Sequence, residues 1–184
     1  RPTDDGFVEK SGTVDCRAWN DTGYSRGRAF SISLIKVDGK PVERATADAY
    51  WKMRSDAKRD GVHLRIISGF RTYSQQSYLY GCYVNCACNN CNLAARPGYS
   101  NHQSGWALDL NTGDWGVLRW LNRNAGRYGF RRTVPSEDWH WEYLGGGNGD
   151  GSACRQAPRD PNTVSSDTYT IGFGGSCWEA ADAL

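Results

Sequence analysis

Two short segments that contain two of the chain's three histidines constrain its fold more than any other feature. His102 is followed by Asp109, and Glu137 is followed three residues later by His140. Catalytic zinc sites typically use three protein ligands and leave a fourth position for water. Together the segments offer three such ligands and one further carboxylate that can carry a proton. The chain is therefore predicted to fold so that the segments meet, and the pattern indicates a metal-dependent hydrolase.

The separation of His102 and Asp109 requires a turn between them. Residues seven positions apart lie on opposite faces of one continuous strand. We therefore predict a turn over residues 103–105, followed by a short strand over residues 106–110 that carries the aspartate.

Glu137 and His140 can converge in either of two ways. Their spacing would place them on one face of a helical turn. They could equally meet where a loop enters a strand predicted over residues 139–143. Either histidine alone could be an ordinary polar or buried residue, but the joint pattern favours a site. His63 has no such neighbours and is predicted to be a strand residue.

These two segments follow two other blocks in a distinctive order. Residues 26–30 lead into a predicted strand, and residues 68–76 begin with Ser-Gly-Phe-Arg-Thr. The four blocks together resemble the zinc D-Ala-D-Ala carboxypeptidases of the VanY type, over about residues 23–144. That family shares its fold with L-alanyl-D-glutamate endolysin peptidases and with the hedgehog domain.

The resemblance implies a role for each matching residue. His102, Asp109 and His140 would bind one catalytic zinc ion. Glu137 would take a proton from the attacking water and pass it to the leaving amine. Arg71 would stabilise the oxyanion of the tetrahedral intermediate.

The implied substrate is a peptidoglycan stem peptide. In carboxypeptidase members of the family, Gln76 and Ser100 match positions that help to hold the terminal carboxylate. The expected function is therefore that of a secreted zinc peptidase that removes the C-terminal D-Ala. The alternative is an endopeptidase that cuts the L-Ala-D-Glu bond or a cross-link. A non-catalytic, zinc-stabilised binding module is a third reading, which Glu137 and Arg71 disfavour.

The residue types suit this chemistry independently of the resemblance. Zinc polarises an amide carbonyl and lowers the pKa of bound water from about 15.7 to about 7. A carboxylate near that water then serves as general base, a step that contributes roughly 10²–10⁴-fold. Arg71 follows an apolar run and a Ser-Gly turn, so it could supply the positive charge that an oxyanion requires. It could instead be a surface arginine paired with a carboxylate.

Composition limits the partners that we expect. The 184 residues carry 22 Lys and Arg against 20 Asp and Glu, and no basic run is interleaved with aromatics, so no nucleic-acid partner is expected. No apolar stretch approaches the ~20 residues that span a bilayer, so no membrane span is expected. The polar N-terminus is unlike a signal peptide, so the leader of an exported form would already be removed. We expect a monomer.

Seven cysteines indicate an exported protein. Four of them crowd into ten residues and three lie in flanking arms; they are Cys82, Cys86, Cys88 and Cys91, and Cys16, Cys154 and Cys177. The cluster could be a second, structural metal site. A disulfide framework also explains the outlying cysteines, so we expect disulfide-tied arms and a secreted or periplasmic location. The odd count leaves at least one thiol free or paired between molecules, and the connectivity stays open.

Hydrophobic periodicity predicts an α+β fold, in which a small antiparallel sheet and flanking helices hold the zinc site and disulfides staple the arms. Predicted strands also cover residues 29–37, ended by an Asp-Gly turn, and residues 62–67. Predicted helices cover residues 46–59, 73–80 and 114–121. We expect Asp114 to cap the last helix, and Val117, Trp120 and Leu121 to share its inward face.

Three regions are expected along the chain. An N-terminal arm covers residues 1–22, and the zinc peptidase domain covers residues 23–144. Residues 145–184 form a glycine-rich linker and a cysteine-containing tail, which is expected to pack against the catalytic domain; the alternative is a wall-binding role.

Overall fold

A three-stranded antiparallel sheet forms one layer of the protein. The computed structural model describes residues 13–147 and 149–156. Neighbouring strands of this sheet are β1 (Val14–Ser25), β2 (Arg28–Val37) and β3 (Lys40–Glu43). Asp38 and Gly39 connect β2 to β3 with positive φ angles, so the predicted strand and its Asp-Gly turn are confirmed. Strand β1 runs across the expected boundary between residues 22 and 23.

Helix α1 (Arg44–Arg59) begins directly after β3. The carboxylate of Glu43 accepts hydrogen bonds from the backbone N–H groups of Ala45 and Thr46, at 2.9 and 2.8 Å. This cap satisfies donors that the first helical turn would leave unpaired. The helix predicted over residues 46–59 is therefore confirmed, and it begins two residues earlier.

A four-stranded antiparallel sheet forms the second layer and carries the two histidine segments. Its strand order is β4 (Ile66–Ser68), β5 (Ala107–Leu110), β7 (His140–Tyr143) and β6 (Phe130–Arg131). All four residues of β5 are buried, as is usual for a central strand that is covered on both faces. The strands predicted over residues 106–110 and 139–143 are confirmed, each one residue shorter at its start.

The strand predicted over residues 62–67 is mostly wrong, and His63 is not a strand residue. Only Ile66–Ser68 pairs with β5. Before it, the side chain of Asn111 takes the place of a partner strand. Its Nδ2 donates to the carbonyl of His63 at 2.9 Å, and its Oδ1 accepts from the backbone N–H of Arg65 at 2.7 Å. These bonds satisfy the backbone without a continuous ladder.

Two further helices follow strands β4 and β5 in the chain. Helix α2 (Tyr73–Asn85) begins with a capping box between Thr72 and Gln75, and it extends the helix predicted over residues 73–80. Helix α3 (Val117–Asn124) buries Val117, Trp120 and Leu121, as predicted.

The predicted cap of α3 is wrong. The N-cap position is Gly116, which has a φ of 80° and makes no side-chain cap. The helix therefore starts three residues after Asp114. The Asp114 carboxylate instead accepts a hydrogen bond from Asn111 Nδ2 at 2.8 Å, which ties it to the loop after β5.

One continuous apolar core joins α1, α3 and both sheets. Its largest fully buried side chains include Tyr50, Met53, Leu108 and Phe130. Within the described residues, no helix is long and apolar enough to cross a membrane.

Six cysteines lie in three pairs, and Cys177 lies outside the described residues. The pairs are Cys16 with Cys154, Cys82 with Cys88, and Cys86 with Cys91, with Cα–Cα distances of 5.7, 4.8 and 4.5 Å. These separations fall within the range of about 4.4–6.8 Å that disulfides require. The first pair joins β1 to helix α4 (Ser152–Gln156), and the other two close the loop that follows α2.

The start of the C-terminal region packs on α1. The buried carboxylate of Asp48 accepts hydrogen bonds from the backbone N–H groups of Gly151 and Ala153, at 2.7 and 2.8 Å. Lys52 also pairs with Asp150. Residues 149–156 are therefore held against the domain by specific contacts, and the rest of the expected tail, residues 157–184, lies outside the described residues.

Candidate metal centre

The second sheet brings two of the three predicted ligands together. Asp109 of β5 and His140, the first residue of β7, are direct partners in the antiparallel ladder. His102 lies in the turn before β5, as predicted from the odd spacing. Gly105 makes this turn feasible, because its φ is 82° and a Cβ there would lie 2.5 Å from the side chain of Ile32.

We name His102, Asp109 and His140 the His/Asp/His cluster. Oδ1 of Asp109 lies 3.2 Å from His102 Nε2 and 3.3 Å from His140 Nδ1. One ligand atom from each side chain falls within 4.8 Å of the others, and all three residues are buried. Zinc bonds of about 2.0–2.1 Å in a tetrahedron separate ligand atoms by about 3.3 Å. The donor types and spacing therefore fit a zinc ion.

The second nitrogen of each imidazole is bonded to an acceptor. Nδ1 of His102 lies 2.8 Å from the carbonyl oxygen of Gly69, and Nε2 of His140 lies 3.0 Å from Oε1 of Glu142. Since a carbonyl and a carboxylate can only accept, these nitrogens carry the protons. His102 Nε2 and His140 Nδ1, which face Oδ1 of Asp109, are then the nitrogens that would bind a metal in place of a proton, as in other histidine sites.

The charges around the cluster stabilise a positive charge at its centre. Burial alone would raise the pKa of Asp109, but hydrogen bonds from both histidines hold that pKa well below its usual range. Burial would lower the pKa of His140, yet its bonds to Asp109 and Glu142 raise that pKa to about 9. The same network outweighs the burial of Glu142 and lowers its pKa to about 2. Such a site favours a proton or a metal cation.

Arg71 lies against the cluster from the side of β4. Its Nη2 donates to Oδ2 of Asp109 at 2.8 Å, and its Nε and Nη2 lie 3.3 Å from Oγ of Ser68. Its backbone N–H donates to the carbonyl of His102 at 3.1 Å. Burial lowers the pKa of Arg71, and the charges of Asp109 and Glu137 oppose that change. Arg71 is thus a fixed cation beside the cluster.

Glu137 reaches the cluster from a turn that leads into β7. The backbone N–H of His140 donates to the carbonyl of Glu137 at 3.2 Å, so the second of the two expected arrangements is present. Oε2 of Glu137 lies 3.9 Å from His140 Nδ1, and 28% of the Glu137 side chain is exposed. A partly exposed carboxylate beside the cluster can exchange protons with water.

Gln76 and Ser100 are both buried near the loop that precedes His102. Nε2 of Gln76 donates to the carbonyl of Ala95 at 2.8 Å. Oγ of Ser100 accepts from the backbone N–H of His102 at 3.3 Å. Ser100 thereby supports the ligand-bearing turn directly, while Gln76 anchors the segment between the last cysteine of the cysteine cluster, Cys91, and Ser100.

Sequence reasoning missed the groups that orient the two histidines. The carbonyl of Gly69 has no side-chain signature in the sequence. Glu142 could have been found, because residues two apart on a strand share a face and it lies two positions after His140.

The buried His/Asp/His cluster has a carboxylate and an arginine beside it. This arrangement places the protein in the class of proteins with a metallopeptidase-like centre on an antiparallel sheet. The family described as "VanY: D-alanyl-D-alanine carboxypeptidase" matches residues 39–146, more than half of the chain. The chain belongs to this family.

Curated relatives agree with the family match. A D-alanyl-D-alanine carboxypeptidase of Enterococcus faecium is 31% identical over 120 residues, which cover 56% of this chain and 38% of the relative. The protein of the same name from Enterococcus faecalis (strain ATCC 700802 / V583) is 32% identical over 116 residues. These residues cover 48% of this chain and 43% of the relative. The chain spans less than half the length of the curated relatives it matches.

Solved structures share the fold. VanYB in complex with D-Alanine-D-Alanine superposes with a TM-score of 0.55 at 24% identity, covering 72% of this chain and 88% of that one. A mutant of the vancomycin-resistance D,D-pentapeptidase VanY in complex with Zn(II) gives a TM-score of 0.53 at 23% identity. The superposition covers 78% of this chain and 90% of that one.

Gly69→Ala tests whether the backbone partner of His102 matters. A Cβ on Gly69 would lie 2.3 Å from the carbonyl oxygen of Pro41, so the segment must shift and carry the Gly69 carbonyl with it. We expect zinc affinity to fall roughly 10–100-fold, the usual effect of losing a partner of a metal-bound histidine. Competition with a chromogenic chelator measures this affinity.

Gly81→Ala is the matched control. Gly81 lies within α2, and a Cβ there would meet nothing within 4 Å. Its zinc affinity should equal that of the wild type. Equal affinities for all three proteins would contradict the role assigned to the Gly69 carbonyl.

Proposed function

We propose that the chain is an exported zinc peptidase that removes the C-terminal D-Ala from peptidoglycan stem peptides. The convergence of Glu137 and Arg71 on the His/Asp/His cluster carries the proposal. Amide hydrolysis needs a base for water and a positive charge for the oxyanion, and these two residues supply them. Membership of the VanY family supports the substrate class.

In this proposal the His/Asp/His cluster holds one zinc ion through His102 Nε2, Asp109 Oδ1 and His140 Nδ1. When bound, the ion polarises the scissile carbonyl and lowers the pKa of water. The protein's own contribution is to keep the three ligand atoms in place. The ladder between β5 and β7 and the turn before β5 provide that rigidity.

Glu137 is the proposed proton carrier. Its partly exposed carboxylate accepts a proton from the attacking water as the C–O bond forms. It returns that proton to the amide nitrogen as the C–N bond breaks, so the products are a carboxylate and free D-Ala. A group that moves a proton in both directions must be both near the cluster and open to water, and Glu137 meets both conditions.

Arg71 is the proposed oxyanion stabiliser. Ser68 and Asp109 anchor its guanidinium, so little reorganisation is needed when negative charge develops on the substrate oxygen. The positions of Glu137 and Arg71 also disfavour a non-catalytic binding module, which would need neither residue.

The carboxypeptidase assignment is preferred to an endopeptidase. The names of the curated relatives and the D-Alanine-D-Alanine complex of VanYB, which shares the fold, support it. Gln76 and Ser100 are the proposed supports of the terminal carboxylate. Gln76 donates to the carbonyl of Ala95, and Ser100 accepts from the backbone N–H of His102, so both are fixed near the ligand-bearing turn.

The cysteine pairs support the proposed location. We propose that Cys16–Cys154, Cys82–Cys88 and Cys86–Cys91 are oxidised to disulfides. Disulfides persist in oxidising compartments, so the protein would act outside the cytoplasm, as a monomer with its peptidase domain over residues 23–144.

Glu137→Gln tests the proton carrier. The amide cannot accept the proton of water, so kcat should fall by on the order of 10²-fold or more while the fold and zinc content are retained. Asp138→Asn is the control, because this neighbouring carboxylate pairs with Arg132 instead. Its kcat should stay near that of the wild type. Unchanged turnover in Glu137→Gln would assign the base to another group.

Amidated stem peptides separate the two peptidase activities. A carboxypeptidase recognises the free terminal carboxylate, and loss of hydrogen bonds to a charged group costs about 1.5–3 kcal/mol. We therefore expect kcat/KM to fall roughly tenfold to a hundredfold when the C-terminal D-Ala is amidated. Mass spectrometry of the products gives both the cut position and the rate. Comparable rates on free and amidated peptides would favour the endopeptidase.

A further inference from the structure

Glu142 is a buried carboxylate that accepts hydrogen bonds from its own strand and from two other segments of the chain. Its Oε1 accepts from His140 Nε2 at 3.0 Å and from Asn101 Nδ2 at 2.7 Å. The hydroxyl of Thr133 donates to the same oxygen. Only 7% of the residue is exposed, so few of these bonds could be replaced by water.

The three donors connect both histidine-bearing segments to one atom. His140 supplies one ligand of the cluster, and Asn101 is the residue immediately before His102, which supplies another. The side chain of Glu142 thus bonds an imidazole of the cluster and also the turn that carries the other imidazole.

We propose that Glu142 is a positioning residue that sets the geometry of the metal centre. It holds the ring of His140 with Nδ1 directed at the cluster, and through Asn101 it holds the turn of His102 at the right distance. This inference rests on the proposed zinc function and assigns a residue that contacts neither the ion nor the substrate. A carboxylate in this place also makes the imidazole a stronger ligand.

The strand pairing on both sides of β7 also helps to fix the position of Glu142. Glu142 lies opposite Ala107 on β5 and Arg131 on β6, so its backbone is fixed from both sides. The side chain therefore extends from a backbone that is held in place by a strand on each side.

The central test is zinc affinity, measured by chelator competition, for Glu142→Ala and Glu142→Gln. The alanine variant loses the acceptor for all three donors and should bind zinc roughly 10–100-fold more weakly. The glutamine variant keeps an acceptor oxygen and should recover a large part of that loss. The d–d absorption bands of the cobalt(II)-loaded proteins should differ between alanine variant and wild type, since they report ligand geometry.

Asp48→Ala is the matched control. Asp48 is also a buried carboxylate with two hydrogen bonds, but its partners are backbone N–H groups of the C-terminal segment. This variant should lose stability and keep wild-type zinc affinity. If Glu142→Ala does not fold, Asn101→Ala removes only the bond to the His102 turn and should still weaken zinc binding severalfold.

The outcomes separate this inference from the proposed function. A wild-type protein that binds no zinc would overturn the proposed function. A wild-type protein that binds zinc no more tightly than Glu142→Ala and Asn101→Ala would overturn only the positioning role. Equal losses in the alanine and glutamine variants of Glu142 would also overturn it, because the retained acceptor would then have had no effect.

Discussion

Asp109 carries an ionised side chain on a strand whose four residues are all buried. An unpaired carboxylate in such a place is strongly disfavoured, because burial removes its hydration. It is stable here because His102 and His140 approach one oxygen and Arg71 donates to the other. Each of these three partners therefore compensates the buried negative charge of Asp109.

Close backbone approach makes that compensation feasible. Gly69 brings its carbonyl to His102, and a Cβ at this position would overlap the backbone of Pro41. Gly105 lets the chain reverse between His102 and Asp109 with a positive φ. Glu137 approaches from the turn before β7 and stays partly exposed to water.

Local patterns predicted the elements that carry the site. The odd spacing of His102 and Asp109 indicated a turn and then a strand, and both are present. The three longer helices, α1 to α3, were found because their apolar periodicity is local, although α1 starts earlier than predicted because of the cap by Glu43.

Long-range partners could not be predicted in the same way. The segment around His63 resembles a strand, but Asn111, distant in sequence, satisfies its backbone. Asp114 was expected to cap α3, yet its carboxylate accepts a hydrogen bond from the side chain of Asn111 instead. Glu142 could be suspected from its place two residues after His140, but its other two donors, Asn101 and Thr133, come from other segments of the chain and could not be predicted. The pairing of the cysteines likewise depends on which loops the fold brings together.

Anomalous diffraction at the zinc absorption edge, on crystals of the zinc-loaded protein, tests the metal centre most directly. We predict one strong peak, about 2.0–2.2 Å from Nε2 of His102, Oδ1 of Asp109 and Nδ1 of His140. Glu142 should stay bonded to the other nitrogen of His140. A zinc peak at the cysteine cluster, or none at the His/Asp/His cluster, would contradict this assignment.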